Sequence, residues 1–454
     1  RHYLFFSYYI MQDFIHINVH SHYSIQRSIL TIPEAVDKAV EDGMKGIALT
    51  DIGVMYGIKE FVDYCAKINK KRAKDGLEPF KPIIGCELYV APRTMHDKEK
   101  CDEKCGRLIV LAKNLTGYRN LCRLVSNSWT EGLMYETPRT DHAELEKYKE
   151  GLIVIVSGMN SEIANYAIAG DMDKALFVGE WYKTTFGDDF YLGIKRNETL
   201  FKSETPNADN MLKKVWSAYI KIDTEYNLKS VCVNSCNYLN EEDGVVLDHL
   251  LAIANNTTLD DAACPRHIEG EWMMTREELA PLFRGRTDAR INSLELFDKV
   301  EFYSIESFPL LPYFSIPKSF GTEEEWRHRY SDEQIRKEFI CDENGNNPLD
   351  EYDASMKINQ LGGIDELYRI KFQSDYLSKL AYDGAKRIYG TLTPEIEERL
   401  RFELHIIKII GFPSYFLFVQ DYVNAAQKEL NVWVGPGRGS AVGSIVNYCL
   451  GITK

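Results

Sequence analysis

The first half of the chain alternates short apolar segments, rich in β-branched residues, with longer amphipathic segments. Their lengths and spacing predict strands at Phe14–His20, Lys45–Thr50, Pro82–Val90, Leu108–Lys113, Leu152–Ser157, Phe190–Gly193 and Ser230–Asn234. Apolar residues recur every three or four positions between them, which predicts helices at Pro33–Asp42, Glu60–Lys74, Tyr118–Ser128, Asp171–Thr185 and Asn207–Tyr226. This repeated order indicates an α/β fold with parallel strands, in a closed barrel or a wound sheet.

The second half of the chain is predicted to be mainly helical, with helices at Met274–Phe283, Asp288–Val300 and Pro394–Ile410. Residues 316–363 are polar and rich in turn residues, which indicates a linker or a surface insertion. A second domain follows this stretch. Its first clear helix has Thr393 as N-cap and Gly411 as its stop, which are the residues expected at those two positions.

Composition narrows the class of protein. With 454 residues, of which 44% are hydrophobic and 27% charged, the chain has the balance of a soluble globular protein. Its longest apolar run, Tyr3–Ile10, is too short to span a bilayer, so we expect a cytoplasmic protein. The ten cysteines lack the paired spacing of a zinc site and fit a reducing compartment. The net charge of −14 argues against a surface devoted to nucleic acid.

A cluster of histidines lies in the first predicted strand. The segment His16–His22 reads His-Ile-Asn-Val-His-Ser-His, and the strand period of two places residues 16, 18, 20 and 22 on one face. Three imidazoles on one face could hold a metal ion. The alternative is that these histidines are hydrogen-bonded or exposed at a barrel mouth.

The other strand ends supply few partners for such a metal site. Glu87 is a credible carboxylate ligand, and Asp51 is a second candidate. The remaining strand ends offer Ile52, Arg107, Gly158, Ser235 and Asn237. Because an arginine among the ligands would oppose the charge of a metal ion, we expect no active metal site here.

A glycine-rich segment lies near the end of the printed sequence. Val434–Ser444 reads Val-Gly-Pro-Gly-Arg-Gly-Ser-Ala-Val-Gly-Ser, and it is predicted to follow an apolar strand at Val432–Val434 and to open a helix. Glycines let backbone amides approach a ligand, a helix N-terminus favours an anion, and Arg438, Ser440 and Ser444 add donors. The spacing fits neither a Walker loop nor a dinucleotide-binding loop. We interpret the segment as a phosphate cradle rather than a purely structural turn.

The histidine-containing segment and the glycine-rich segment, in this order along the chain, resemble the catalytic α subunits of bacterial DNA polymerase III, the C-family replicative polymerases. The resemblance runs from Met11 to Lys454. Besides the glycine-rich segment, it is carried by Phe14–Ser24, Gly46–Asp51, Lys81–Glu87, Leu108–Asn114 and Gly411–Leu417. The polar stretch near Ser319–Arg369 resembles the version found in Bacteroidetes-type enzymes.

The resemblance implies an N-terminal polymerase-and-histidinol-phosphatase (PHP) domain, a distorted (β/α)7-type barrel in which nine residues hold metal ions. Two of the nine positions, His20 and Glu87, match the family pattern. The other positions are substituted, and carry Asn18, Arg27, Ile52, Arg107, Gly158, Ser235 and Asn237. We therefore predict a PHP domain with no metal, and with no phosphoesterase or proofreading activity of its own.

The resemblance also implies that the second domain begins a polymerase palm. In the family the Gly-Arg-Gly-Ser motif contacts the triphosphate of the incoming nucleotide, which assigns that role to Arg438, Gly439, Ser440, Gly443 and Ser444. The catalytic aspartates of the family, which hold two Mg²⁺ ions, lie beyond this motif, and no Pro-Asp-x-Asp-x-Asp run occurs in these 454 residues. No catalytic residue is therefore expected in this chain.

The predicted domain order has four parts. Residues 1–10 precede the first methionine, Met11, and are interpreted as an upstream extension that is not native. They are followed by a PHP domain at 11–285, connecting helices and a polar insertion at 286–363, and the incomplete start of a palm at 364–454. An incomplete palm would expose a sheet edge and an apolar face, so Gly363–Lys454 expressed alone is expected to be poorly soluble.

The leading hypothesis is the N-terminal portion of a replicative DNA polymerase α subunit, with this chain inactive by itself. The parent protein would use Mg²⁺ to add deoxynucleotides (dNTP) to a DNA primer-template, with a proofreading exonuclease subunit and a sliding clamp as partners, and with no membrane. A second hypothesis is a non-catalytic scaffold or a decayed fragment whose barrel docks a partner. A third is a free-standing PHP metallophosphoesterase, which predicts bound zinc or manganese.

Overall fold

The computed structural model describes residues 14–195, 208–307, 314–346 and 348–454. These residues form two compact units that divide between Ile305 and Glu306, and they are called unit 1 and unit 2 in chain order. The extension predicted at 1–10 and the first residue of the helix predicted at Asn207 lie outside the described residues.

Unit 1 is built around one sheet. Its strands are β1 (Asn18–Val19), β2 (Gly46–Leu49), β3 (Lys81–Val90), β4 (Gly106–Ala112), β5 (Arg139–Thr140), β6 (Leu152–Ser157), β7 (Phe190–Lys195), β8 (Lys229–Val233) and β9 (Ser235–Cys236). The spatial order is β8-β7-β6-β4-β3-β2-β1-β9, with β5 beside β3. The two outer strands of this order, β8 and β9, are separated in sequence only by Asn234, so the sheet curls into a nearly closed barrel.

Most helices in the described part of unit 1 cover the outer face of the sheet. The α-helices are α1 (Ile32–Glu41), α2 (Ile58–Lys74), α3 (Leu115–Thr130), α4 (His142–Lys147), α5 (Glu162–Ala169), α6 (Met172–Phe186), α7 (Ala208–Tyr226), α8 (Gly244–Ala254), α9 (Arg276–Leu282) and α10 (Thr287–Lys299). Several begin at polar N-caps whose side chains accept a backbone N–H of the first turn: Thr31, Asn114, Asp141, Ser161, Asp171 and Thr275. The α/β barrel predicted from the sequence is confirmed.

Side chains alternate along the strands between two cores. One core lies between the strands and the surrounding helices. The other lies inside the barrel and takes Ile153 and Ile155 from β6, together with Phe297 from α10. Lys81, at the beginning of β3, donates to the carbonyl oxygens of Phe297 and Val300 at 3.0 and 2.8 Å. Helix α10 therefore closes the barrel at the end where β3 begins.

Two expectations about the strands are wrong. Strand β4 runs antiparallel to both β3 and β6, so the sheet is not wholly parallel. The chain also bends at Ile17, and β1 comprises Asn18–Val19 alone. Because a bend interrupts the alternation of a strand, residues 16, 18, 20 and 22 do not share one face.

Every regular element among the described residues of unit 2 is a helix. The α-helices are α11 (Glu323–Arg329), α12 (Asp332–Ile340), α13 (Glu351–Gln360), α14 (Ile364–Tyr389), α15 (Pro394–Ile409), α16 (Pro413–Lys428) and α17 (Ile445–Leu450). A core of Leu377, Leu400, Leu404, Leu417 and Val446 joins α14 to α17. Among the described residues no single helix could cross a membrane by length and apolar content, although α15 and α16, bent by 112°, pass that test as a pair.

The stretch 316–363, expected to be a linker or a surface insertion, contains three helices, so it is not an irregular linker. Thr322 and Glu325 form a capping box at the beginning of α11, and Ser331 and Gln334 form another at the beginning of α12. These capping signals outweigh the glycine and asparagine content on which the linker expectation rested. The strand expected at Val432–Val434 is also wrong, because the described part of unit 2 provides no strand with which it could pair.

Candidate functional site

A pocket with a volume of about 400 Å³ opens in unit 1 at the end of the barrel where the parallel strands finish. All nine positions at which the family resemblance places metal ligands line it: Asn18, His20, Arg27, Ile52, Glu87, Arg107, Gly158, Ser235 and Asn237. The fold therefore brings together residues that are up to 219 positions apart in sequence, from Asn18 to Asn237.

The direction of each strand explains how the positions meet. Parallel strands deliver their carboxyl ends to one edge, which is why residues that follow β1, β2 and β6 reach the pocket. Ile52, just after β2, forms an isolated bridge with Glu87 of β3. Arg107 reaches the same edge from the beginning of its strand because β4 runs in the opposite direction.

Polar side chains at the pocket floor form one hydrogen-bonded network. Asn18 Nδ2 donates to Glu87 Oε2 at 3.0 Å, and His20 Nε2 lies 2.8 Å from the same oxygen. Arg107 Nη1 donates to the other oxygen, Glu87 Oε1, at 3.2 Å. His20 Nδ1 lies 2.8 Å from Asn237 Oδ1. Both oxygens of the one carboxylate that matches the family pattern are therefore already occupied by protein donors.

His20 and Glu87 shift the pKa values of each other in directions that favour their charged forms. Burial alone would lower the pKa of His20, but the hydrogen bond and the charge of Glu87 outweigh it and raise that pKa above its ordinary value. Burial opposes ionisation of Glu87, yet Arg107, His20 and Asn18 together hold the pKa of its carboxyl well below its usual range. The arrangement is a buried carboxylate between the guanidinium of Arg107 and the imidazole of His20.

The residues present do not fit a metal centre. Both ring nitrogens of His20 lie 2.8 Å from side-chain oxygens, Nε2 from Glu87 and Nδ1 from Asn237, so neither nitrogen offers a free lone pair to a metal ion. Arg27 and Arg107 add two fixed positive charges at the pocket. Within the described parts of the chain, one group of three ligand atoms is close enough to share an ion, and it is Glu99, Cys101 and Asp102, outside this pocket. Asp102 in that group already forms a bidentate pair with Arg93.

The other residues proposed from the sequence as metal ligands lie elsewhere. His16 Nε2 donates to the Met274 carbonyl oxygen at 2.8 Å, away from the pocket. His22 is exposed, and its ring lies 4.4 Å from that of Tyr23. Asp51 accepts hydrogen bonds from Ser21 and Ser24, and does not line the pocket. Asp51 therefore orders the turn after β1.

Several polar residues of the pocket were missed by the sequence analysis, among them Glu271 and Lys195. Glu271 Oε2 accepts from Asn237 Nδ2 at 2.5 Å, and Glu271 Oε1 lies 3.3 Å from Lys195 Nζ. Glu271 lies in an irregular segment, so no strand or helix period marks it. Lys195 ends β7, two residues beyond the predicted end of that strand.

The glycine-rich segment of unit 2 forms an exposed turn. A 3₁₀ turn at Gly439–Gly443 precedes the short helix α17, and Gly437 and Gly439 have φ values of 117° and 68°. These backbone conformations strongly favour glycine. Arg438 is exposed, and no side-chain hydrogen bond or ion pair of its guanidinium is seen among the described residues.

Ser444 differs from the other residues of the segment. Its Oγ accepts from Asn447 N at 3.2 Å and donates to Glu403 Oε2 at 2.7 Å. The same Glu403 oxygen accepts from Val446 N at 3.2 Å, and Arg399 Nε donates to Glu403 Oε1 at 2.7 Å. The hydroxyl of Ser444 therefore holds the base of the turn rather than facing solvent.

Comparison with protein families assigns residues 16–197 to the PHP domain. Residues 375–454 match a second family, described as the bacterial DNA polymerase III alpha NTPase domain. Unit 1 is thus a PHP-type barrel, and the match to the polymerase NTPase domain lies within unit 2.

Curated relatives are similar along nearly the whole chain. The DNA polymerase III subunit alpha of Borreliella burgdorferi is 31% identical over 444 residues, which is 97% of this chain and 32% of the relative. That of Aquifex aeolicus is 30% identical over 468 residues, covering 97% of this chain and 34% of its own length. Both family matches and these relatives point to the alpha subunits of bacterial DNA polymerase III, and the chain spans about a third of the length of these relatives.

Solved structures resemble this chain only loosely. The structure of an amidohydrolase from Chromobacterium violaceum covers 49% of this chain and 87% of its own, with 11% identity and a TM-score of 0.28. An overlap of this quality carries no information about function.

Proposed function

We propose that this chain is the N-terminal part of the catalytic subunit of a replicative DNA polymerase, which adds deoxynucleotides to a primer 3′ end. The observation that carries the proposal is the similarity to alpha subunits over 97% of the chain, across both units. The parent protein would bind a DNA primer-template and act in the cytoplasm, with a proofreading exonuclease subunit and a sliding clamp as partners.

The proposed contribution of unit 2 is to hold the triphosphate of the incoming nucleotide. The amides of Gly439 and Ser440 at the beginning of the exposed 3₁₀ turn, with the guanidinium of Arg438, offer several donors on one turn, and Gly443 carries no side chain that would keep a ligand away. Ser444 would act indirectly, because Glu403 occupies its hydroxyl. The Mg²⁺-dependent step would need the aspartate run that is missing from these 454 residues, so this chain would not polymerise by itself.

Primer extension by a chimeric subunit tests this proposal. The matching third of the Borreliella burgdorferi alpha subunit is replaced by this chain, and extension is measured with Mg²⁺ and varied dNTP. We expect extension by the chimera, and a KM for dNTP at least tenfold higher in R438A. The matched control is R387A, an exposed arginine on α14, which should leave the KM unchanged.

Two outcomes would count against the proposal. A chimera that is monodisperse and unfolds cooperatively but extends no primer would contradict the polymerase function. An R438A chimera with an unchanged KM would remove the triphosphate role from the turn while leaving the polymerase function in place.

We also propose that the barrel pocket works without metal and has no phosphoesterase or proofreading activity. The proposed absence of a metal is supported by the contacts of Glu87, whose carboxylate is already paired with Arg107 and His20. Plasma mass spectrometry after incubation with zinc and manganese, followed by gel filtration, should find no retained ion. Two or more ions per chain would instead favour a PHP metallophosphoesterase.

A further inference from the structure

Unit 2 contains a cavity of its own, with a volume of about 170 Å³. Its lining comes from α14, α15 and the segment that follows α12, and it is called the unit 2 cavity. A single water molecule needs only about 15 Å³ of such space, whereas sites for drug-sized ligands begin at about 300 Å³. The unit 2 cavity therefore has the size of a site for a molecule of a few heavy atoms.

Both helices present polar side chains to the cavity at helical spacing. Residues three or four positions apart lie on one face of a helix. The side chains are Ser374, Ser378 and Tyr382 of α14, and Arg401, His405 and Lys408 of α15. Glu403, which holds the glycine-rich turn through Ser444, lies two residues from Arg401 and from His405, on the opposite side of α15. The cavity is therefore distinct from the turn that is proposed to hold the triphosphate.

Two lysines neutralise two carboxylates beside the cavity. Lys371 Nζ donates to Asp375 Oδ1 at 2.8 Å, and Trp326 Nε1 donates to the other oxygen, Oδ2, at 2.8 Å. Lys408 Nζ donates to Glu338 Oε2 at 2.9 Å, and Lys371 Nζ lies 3.1 Å from the same oxygen. The charges of these four groups cancel within the protein, so they leave no net charge for a ligand.

Two further charged side chains of the lining, Arg401 and Glu343, have opposite signs and unused bonding capacity. Arg401 is exposed and Glu343 is half-buried. No side-chain hydrogen bond or ion pair of either residue is seen in the described part of unit 2. A simple anion would be repelled by Glu343, and a simple cation would be repelled by Arg401. A zwitterion, in contrast, can pair with both groups.

Ser374 and His405 are buried in the cavity wall without a hydrogen-bond partner. They are only 5% and 9% exposed, and no hydrogen bond of either side chain is seen among the described residues. Buried polar groups in proteins nearly always have a partner. Burial and the charge of Lys408 lower the pKa of His405, so at pH 7 its neutral imidazole has one nitrogen that donates and one that accepts. A polar ligand in the cavity would supply the missing partners.

We propose that the unit 2 cavity binds a small zwitterionic amino acid. Arg401 holds the carboxylate of the ligand through two parallel N–H···O bonds, and Glu343 holds its ammonium group. Ser374 and His405 form hydrogen bonds to the same molecule. The small volume and the hydroxyl groups of the lining favour a short, polar side chain such as that of serine. The inference goes beyond the proposed polymerase function and does not depend on it.

Calorimetric titration of the full chain at pH 7, in a buffer that holds no amine or carboxylate, tests the proposal. The probes are L-serine, acetate, ethanolamine and L-tryptophan. We expect one saturable site for L-serine, with an affinity at least tenfold higher than that for acetate or ethanolamine, each of which carries only one of the two charges. L-tryptophan should not bind, because its indole is too large for the cavity. Equal affinity for L-serine and acetate would overturn the zwitterion and identify an anion site.

Variants of the lining separate a built site from general charge attraction. R401Q, E343Q and S374A should each weaken L-serine binding at least fivefold. The matched controls are R387Q on α14 and E398Q on α15, which change exposed residues outside the cavity and should have no effect. Because Arg401 and Glu343 have no ion pair among the described residues, R401Q and E343Q should melt at the temperature of the unchanged protein.

Two results would overturn the amino-acid site. Equal weakening by R401Q and R387Q would show that binding depends on general charge rather than on the cavity. No saturable binding of L-serine would leave ordered water as the partner of Ser374 and His405. Failure of the chimera to extend a primer would not change either reading, because the titration measures binding by this chain itself.

Discussion

Glu87 shows how this barrel keeps a carboxylate buried. A buried charge is costly unless it is paired and hydrogen-bonded, and Glu87 meets both conditions through Arg107, His20 and Asn18. The sequence identified Glu87 and His20 as neighbours in a pocket. It did not identify how Arg107 joins them, because that contact depends on the reversed direction of β4.

His16 is buried as a neutral imidazole, and its stability contribution should depend on pH. Burial lowers the pKa of His16, and the hydrogen bond to the Met274 carbonyl raises it. Burial is the larger effect, and the pKa falls to about 4. Above about pH 6.5, His16 is neutral in both the folded and the unfolded protein. Between about pH 6.5 and pH 4, His16 takes up a proton only in the unfolded chain. The free energy of unfolding should therefore fall as the pH falls through this window, by about 3 kcal/mol.

The measurement is urea unfolding at pH 7 and pH 4.5 for the unchanged protein and for H16Q. Glutamine can still donate to Met274 but does not titrate, so H16Q should lose less stability on acidification. The neighbouring Cys236 Sγ, 3.4 Å from His16 Nδ1, stays protonated throughout because burial raises its pKa. Equal losses in the two proteins would contradict the assignment to His16.

Glu403 should stabilise the turn that carries the glycine-rich segment. E403A removes the acceptor of Ser444 Oγ and Val446 N, and should lower the free energy of unfolding of unit 2 by about 2 kcal/mol. The matched control is E398A, an exposed residue of α15, expected to change stability by less than about 0.5 kcal/mol. Urea unfolding followed by circular dichroism measures both, and similar effects of the two changes would argue against a special role for Glu403.

At the scale of elements, α14 and α17 pack so closely that a glycine is required. A Cβ added at Gly384 would lie 2.0 Å from the Cys449 carbonyl oxygen, which is backbone and cannot move aside alone. G384A should therefore destabilise unit 2 by about 2–3 kcal/mol, measured by urea unfolding. G435A, where a Cβ would meet nothing within 4 Å, is the control and should be close to neutral.

Secondary structure was predicted well where capping and periodicity agree. The helix at Pro394–Ile409 begins after Thr393, whose Oγ1 accepts from Ile396 N as expected of an N-cap, and Gly411 follows its end with a φ of 78°. Strand β6 has the predicted bounds, Leu152–Ser157. The prediction failed over 316–363, where short helices with their own caps were taken for a linker, since glycine and asparagine content was given more weight than capping residues.

At the scale of the molecule, unit 2 is expected to depend on α11 to α13. Ile335 and Phe339 of α12 pack against Leu367, Tyr368 and Ile370 of α14 in one core. Gly363–Lys454 expressed alone would expose that face of α14 to water, so we still expect poor solubility, although unit 2 has no sheet edge among its described residues.

Gel filtration and thermal melting of two fragments check this expectation. Glu306–Lys454, which keeps α11 to α13, should be monodisperse and melt cooperatively, whereas Gly363–Lys454 should aggregate. A monodisperse, cooperatively melting Gly363–Lys454 would show that α14 to α17 form a sufficient core by themselves.

The sequence alone determined the alternation of strands and helices and the glycine-rich turn, because these follow from local periodicity, capping and backbone freedom. Periodicity left a closed barrel and a wound sheet open, and the order of the strands in the folded protein decides for the nearly closed barrel. Only the tertiary structure decided what the pocket residues do. Asn18, Glu87, Arg107 and Asn237 are far apart in the chain, and the order and direction of the strands set which donors meet which acceptors. Local pattern carries no information on such contacts, so the network that occupies Glu87 could be recognised only in the folded protein.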